Sequence, residues 1–290
     1  MDGLEDIIGR VLNGGLPGAN EICWICDQVK GILRCEDNVV RIRAPVNVCG
    51  DLRGYFECLL EVLRVGGEPG EVNYVFLGNY IGLGKGSINI FCLLFLYKIK
   101  YPGKVCLLRG NYETREMAAG KKLADECENK FCGQGLWEAI VDVFIYLPLA
   151  CLIDDSIFCV HCGLSPTVTT IDEINKIERF TEFSRKLPPE GPVCEFLMTI
   201  PKEAESEWGF EPLTYNFSYG SKVSDLFKAE NGIKLIVRSN CIVKQGYDIM
   251  HNGNLITIFS ASNHLGPYIN TGAILQVSEN LETSFIQFEV

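Results

Sequence analysis

Two stretches decide how this chain is read: "CGDLRGYF" (Cys49–Phe56) and "LRGNYETRE" (Leu108–Glu116). In the first, an Asp ends a strand-like apolar run, "VNVCGD" (46–51). In the second, an Asn ends another, "KVCLLRGN" (104–111), and a Glu follows two residues on. Carboxylates and amides at such places can hold a metal or orient a proton donor. A histidine would complete either kind of site, and the chain has Arg53 and Tyr112 in its place.

Working outward, the same grammar recurs in "NYVFLGN" (73–79), "SIFCVHCG" (156–163), "IKLIVRSN" (233–240) and "LITIFSASN" (255–263). Segments of helical length lie between the first three runs, at 54–65 and 86–100, with Ser87 placed to cap the second. Strand, turn, helix, strand predicts an α/β fold. Before Pro45, apolar residues return at helical spacing (Leu4, Ile7, Ile8, Val11; then Ile22, Ile25, Cys26, Val29), which predicts two helices. The tail, "GAILQVSENLETSFIQFEV", alternates like a hairpin turning at "SENLE". Asp51, Asn79, Asn111, His161, Asn240 and Asn263 all fall at strand ends. Any one of them could simply start a turn. Six together predict one convergent site at the carboxyl ends of the strands, where open α/β sheets bind ligands.

The 290 residues carry no repeat and no long polar linker, so a single domain over 1–290 is expected. A formal net charge of -11, without clustered Lys or Arg, argues against nucleic acid as a partner. The 14 cysteines sit mostly in apolar runs, and "CWIC" (23–26) has no second pair at zinc spacing, so they read as free, buried thiols. "MDGLEDIIGR" lacks a signal-peptide core. The apolar run Phe91–Leu96 is too short to span a bilayer and reads as a buried helix. These features predict a cytoplasmic or nuclear protein with no membrane partner.

With these motifs in place, the chain resembles the protein Ser/Thr phosphatases of the metallophosphoesterase superfamily, most of all the type 1 catalytic subunits, over nearly its whole length. "GDLRG" (50–54) corresponds to the family's GDxHG, "GNYIGLG" (78–84) to GDxxDRG and "RGNYE" (109–113) to RGNHE. "HCG" (161–163) corresponds to HGG, "RSNC" (238–241) to RAHQ and "SASNHLG" (260–266) to SAPNYCG. The resemblance implies two packed mixed β-sheets flanked by helices. It also implies two divalent cations of the Mn, Fe or Zn type, whose shared water attacks a phosphate ester. A histidine held by an aspartate would protonate the leaving oxygen, while two arginines grip the phosphate.

Carried over position by position, the resemblance keeps three metal ligands, Asp51, Asn111 and His161. Arg53, Asn79 and Asn240 stand at the other three. Tyr112 occupies the acid position and Gly82 that of the aspartate which orients it. Leu83 and Leu213 replace the phosphate-gripping arginines, His264 a site tyrosine, and Ile200 an acidic residue.

Two divalent cations would face one carboxylate, together with an arginine that does not lose its proton. The expectation is that the Arg53 guanidinium takes a vacated metal position and pairs with Asp51. No cofactor is expected, or at most one weakly bound divalent metal; the retained ligands read equally as scaffold. Tyrosine's ordinary pKa near ~10 suits it poorly as the acid. The expected function is that of an inactive phosphatase homologue that binds regulators or substrates of type 1 phosphatases. The alternative is an active Ser/Thr phosphatase with reduced or unusual metal use. In the type 1 enzymes regulators dock Val and Phe anchors in an apolar groove. Ile157, Leu235, Ile249, Ile256, Leu281 and Phe285 match that groove and stay apolar, while Lys234 and Glu282 depart from it. All six read equally as core strand residues.

Overall fold

The structure is a computed structural model that describes residues 2–120, 123–131, 135–181, 191–212, 216–264 and 270–290. Along the chain the strands are β1 (Val39–Ile42), β2 (Val46–Cys49), β3 (Asn73–Phe76), β4 (Val105–Leu107), β5 (Ala150–Ile153), β6 (Ile157–Val160), β7 (Ile200–Pro201), β8 (Trp208–Glu211), β9 (Asn216–Tyr219), β10 (Leu235–Arg238), β11 (Tyr247–Met250), β12 (Leu255–Ile258), β13 (Gly272–Val277) and β14 (Thr283–Phe288). One sheet has the order β1-β5-β6-β10-β12-β11 and another β14-β13-β2-β3-β4. Both are mixed. β2, β3 and β4 run parallel, as do β6, β10 and β12, and antiparallel strands close the edges at β11 and β14.

Period-two alternation explains why the two sheets stack. Val46, Val48, Val75 and Leu77 of one sheet join Cys151, Ile153, Ile157, Cys159, Val237 and Ile256 of the other in one buried cluster. The alternate residues Tyr74 and Phe76 point outward, under the helices α1 (Asp2–Leu12), α2 (Ala19–Arg34), α3 (Phe56–Gly66) and α4 (Ser87–Lys100). The run "SINIFCLLFLYKIK" becomes α4, which is buried from Ser87 to Lys98. Each fully buried Leu or Phe there contributes about 1.5–3 kcal/mol. The Lys98 ammonium is carried inside by partners, the carbonyls of Pro102 (2.9 Å) and Val105 (2.8 Å) and the Glu36 carboxylate. Among the described residues no helix is long and apolar enough to cross a membrane.

The six strands read from the sequence, the first helices and the tail hairpin form where expected. Three points differ. Gly86, not Ser87, is the residue before α4; the Ser87 hydroxyl instead accepts from Gly82 N at 3.3 Å. A third sheet, β7-β9-β8, has no counterpart in the sequence reading. Its strands are short, and β8 is partly exposed along its length, so neither hydrophobic period is strong. Asn263 donates to the Val290 carbonyl (3.2 Å) on the surface and stays out of the strand-end cluster.

Candidate functional site

The site is built from loops that leave the two sheets at one end. Asp51 follows β2, Asn79 follows β3, Asn111 and Tyr112 follow β4, His161 follows β6, Asn240 follows β10 and His264 follows β12. Backbone bonds stitch the loops together. Leu52 N and Arg53 N donate to the Asn79 carbonyl at 3.2 and 2.8 Å, and Gly54 N donates to the Tyr80 carbonyl at 2.9 Å.

Glu113 is the second tie, and its role was not read from the sequence although it stands in the opening motif. Fully buried, its carboxyl group accepts from the N–H groups of Asn79 (2.7 Å), Tyr80 (2.9 Å), Gly110 (3.0 Å) and Ile81 (3.4 Å). Burial pushes it up to about 7, against the pull of those N–H groups. The approach is possible because residue 110 is glycine. A Cβ there would lie 2.3 Å from Asn79 N and 2.4 Å from Glu113 Oε2.

At the centre lies Asp51, wholly buried. Its Oδ2 accepts from Arg53 Nε (2.7 Å) and Asn79 Nδ2 (2.9 Å). Its Oδ1 lies 2.7 Å from Ser239 Oγ and accepts from Asn240 N at 3.1 Å. Burial alone would raise this carboxyl; Arg53 above all, then His161, Asn79 and Ser239, outweigh it and hold the carboxyl below its ordinary value. The Arg53 guanidinium spends its other edges on His264 Nε2 (Nη1, 3.1 Å) and Asn240 Oδ1 (Nη2, 3.5 Å). It stands 5.3 Å from the Tyr112 ring centre and 5.1 Å from that of Phe259, within cation–π range.

The other flank is His161, also buried. Its Nδ1 sits 2.7 Å from the Leu77 carbonyl, so that nitrogen carries the proton and Nε2 turns a lone pair toward Asn111 Oδ1 at 3.4 Å. Burial pulls the imidazole down to about 4, with Asp51 opposing. Cys162, next in the chain, receives Asn240 Nδ2 (3.2 Å) and Arg238 Nη2 (3.4 Å) at its sulfur.

The donors do not fit a pair of divalent cations. The ligand positions hold one carboxylate, Asp51, already paired with a guanidinium, and the Glu113 carboxyl is taken up by backbone N–H groups. The Asn79 oxygen accepts from Tyr112 N at 2.9 Å, and its amide nitrogen faces Asp51 and Asn240. His161 and Asn111 offer two neutral donors, too few for a hard dication that wants several oxygens. Among the described residues no group of three or more His, Cys, Asp or Glu side chains is arranged to hold a metal.

The remaining positions are placed as follows. Leu83 is 41% exposed and Gly82 is buried. Tyr112 is half-buried above Arg53. Ile200 lies in β7, paired with Ser218. Leu213 falls outside the described residues. The six groove positions meet: Ile157, Leu235, Ile249, Ile256, Leu281 and Phe285 line one cavity of about 380 Å³, with Lys234 at its edge. Ile157 and Ile256 are also core residues, whereas Ile249 is 53% exposed and Phe285 stacks on Tyr247 at 3.8 Å.

Stacked mixed sheets with polar side chains gathered at one set of strand ends define a phosphoesterase-type α/β sandwich. The calcineurin-like phosphoesterase family matches residues 44–239, well over half of the chain, and the chain belongs to that family. Among solved structures it is similar to a protein serine/threonine phosphatase from Saccharomyces cerevisiae described as similar to human phosphatase PP5. The TM-score is 0.89 at 26% identity, covering 99% of this chain and 96% of that one. A cold-active protein-tyrosine phosphatase from a psychrophilic Shewanella shares the fold, with a TM-score of 0.63 at 14% identity over 89% of this chain and 84% of that one.

Proposed function

We propose that this chain is a phosphatase homologue without phosphatase chemistry, which acts by binding the regulators or substrates of Ser/Thr phosphatases. The observation that carries this reading is Asp51. The one carboxylate at the metal-ligand positions has both oxygens engaged by donors of the protein, an arginine among them. The acid position, Tyr112, has no side chain at residue 82 to orient it, and general-acid catalysis is ordinarily worth about 10²–10⁴ in rate. Such losses are not additive, yet one alone removes most of a phosphatase's turnover. On the binding side, the support is the largely apolar cavity that β11 and β14 help to line, with Ile249 and Phe285 on these two edge strands. An extended segment with aliphatic and aromatic anchors suits such an edge.

The test is hydrolysis of p-nitrophenyl phosphate and of a phosphoserine peptide with and without MnCl2, beside capture of a Val/Phe-type docking peptide. Background turnover with peptide binding is expected. Manganese-dependent turnover that disappears in Asp51→Ala overturns the reading. One observation favours the alternative, an active phosphatase with unusual metal use: the neutral His161 turns its Nε2 lone pair toward Asn111 Oδ1. The same assay decides between them.

A further inference from the structure

We propose that the Arg53 guanidinium is the resident cation of this fold, tying the strand ends together in the place of a metal, so that the folded state is independent of divalent ions. The inference extends the proposed function from what the cluster does not catalyse to what holds it, and it is tested separately.

The first argument is charge. Asp51 has no exposed surface, and a buried carboxylate without a cation is among the costlier defects a fold can carry. Among the described residues Arg53 is the cation that forms an ion pair with it. The second argument is reach. The three nitrogens of one guanidinium contact residues from three strand ends: Asp51 after β2, Asn240 after β10 and His264 after β12. Tyr112, after β4, and Phe259 lie within cation–π distance. A lysine, a point charge on a flexible stem, could not span these partners at once.

The third argument is backbone. Arg53 has φ 48, in the left-handed region, and is held there by its N–H on the Asn79 carbonyl and its carbonyl on Gly84 N (3.0 Å). In that pose its backbone lies against Gly82. A Cβ at residue 82 would come within 2.6 Å of Arg53 O and 2.7 Å of Arg53 Cα. The left-handed turn at 53, which aims the guanidinium at Asp51, and the missing side chain at 82 therefore go together through the backbone. An aspartate cannot return at 82 while the 51–54 turn keeps this path.

Thermal melting with EDTA and with millimolar MnCl2 tests the proposal. The wild type is expected to melt at one temperature under both conditions. Arg53→Ala is expected to lose on the order of 10 °C. Arg53→His, which exchanges the cation for a ligand, is expected to gain several degrees with rising MnCl2, because an ion that binds only the folded state stabilises it. Asp51→Asn combined with Arg53→Ala is expected to melt above Arg53→Ala alone, since the stranded charge is gone. If Arg53→Ala does not fold, Arg53→Lys with the same additions replaces it, and an intermediate loss is expected. A wild-type melting point that falls in EDTA or rises with manganese overturns the inference. So does strict additivity of Asp51→Asn and Arg53→Ala. A manganese-responsive melt without turnover overturns this inference alone. Turnover with an EDTA-insensitive melt overturns the proposed function alone.

Discussion

The strand-end cluster and the apolar cavity are built on the same two sheets, yet they follow opposite rules. In the cluster nearly every polar atom is answered by another, and Asp51, Arg53, Asn79 and Ser239 are buried together. In the cavity the walls are mostly apolar, with Ser156, Lys234 and Thr283 among them, and one apolar wall residue, Ile249, is more than half exposed. A saturated polar cluster adds rigidity to a fold and offers a ligand little. An unfilled apolar cavity adds little to stability and offers a ligand area to bury. The contrast separates a region filled by its own side chains from one that leaves apolar surface open.

The largest expected break in that contrast is Asp51→Ala, which strands the Arg53 guanidinium inside the protein. Urea unfolding should report a loss of about 3–5 kcal/mol. A loss no larger than that of a surface change would mean that the cluster is as dispensable as the rim of the cavity. Next is Gly82→Ala. Its Cβ meets the Arg53 backbone rather than a yielding side chain, so overpacking should cost about 1–3 kcal/mol. Little change in the urea midpoint would show that the 51–54 turn can move aside.

The third prediction concerns the turn between β11 and β12, which borders the cavity through Gly253. His251 follows β11 directly and lies buried, its Nδ1 2.7 Å from Ser224 Oγ. Burial depresses its protonation below the ordinary imidazole range, with Glu203 and Asp225 opposing. A histidine that stays neutral when folded but protonates when unfolded contributes stability above pH ~6.5, and that contribution is lost as pH falls below it. The stability advantage of wild type over His251→Asn, whose asparagine tolerates the same left-handed backbone, should therefore shrink from pH 7.5 to pH 5. An advantage that is flat or grows would contradict it. The smallest effect on folding is expected from Ile249→Ser, within about 0.5 kcal/mol. The same change should weaken docking-peptide binding tenfold or more in a titration. Equal affinity would remove Ile249 from the binding surface.

Much of the architecture was legible because it is local. Short apolar runs that stop at a glycine or a polar residue, as in "VNVC", "NYVF" and "LITI", predict strands whatever they pair with, and β2, β3 and β12 form there. The cavity residues were legible through the family resemblance, since they are spread from 157 to 285 and no local pattern joins them. The third sheet was not legible, because half-exposed short strands carry no period. The capping role expected of Ser87 failed for a different reason. A serine before an apolar run is a good cap only if the chain turns there, and the chain instead holds Gly86 outside the helix and turns Ser87 toward Gly82.

Read alone, the sequence determined that polar residues would gather at strand ends, that Asp51 and Arg53 were close enough along the chain to pair, and that the motif lacked its histidines. Only the tertiary structure decided what answers each of them. Ser239 and Asn240 reach Asp51 across almost two hundred residues, His264 reaches Arg53 across more than two hundred, and Glu113 closes on the backbone of Asn79. Those contacts depend on how two sheets stack and which loops glycine lets approach. These are properties of packing, and side-chain periodicity along one strand does not encode them.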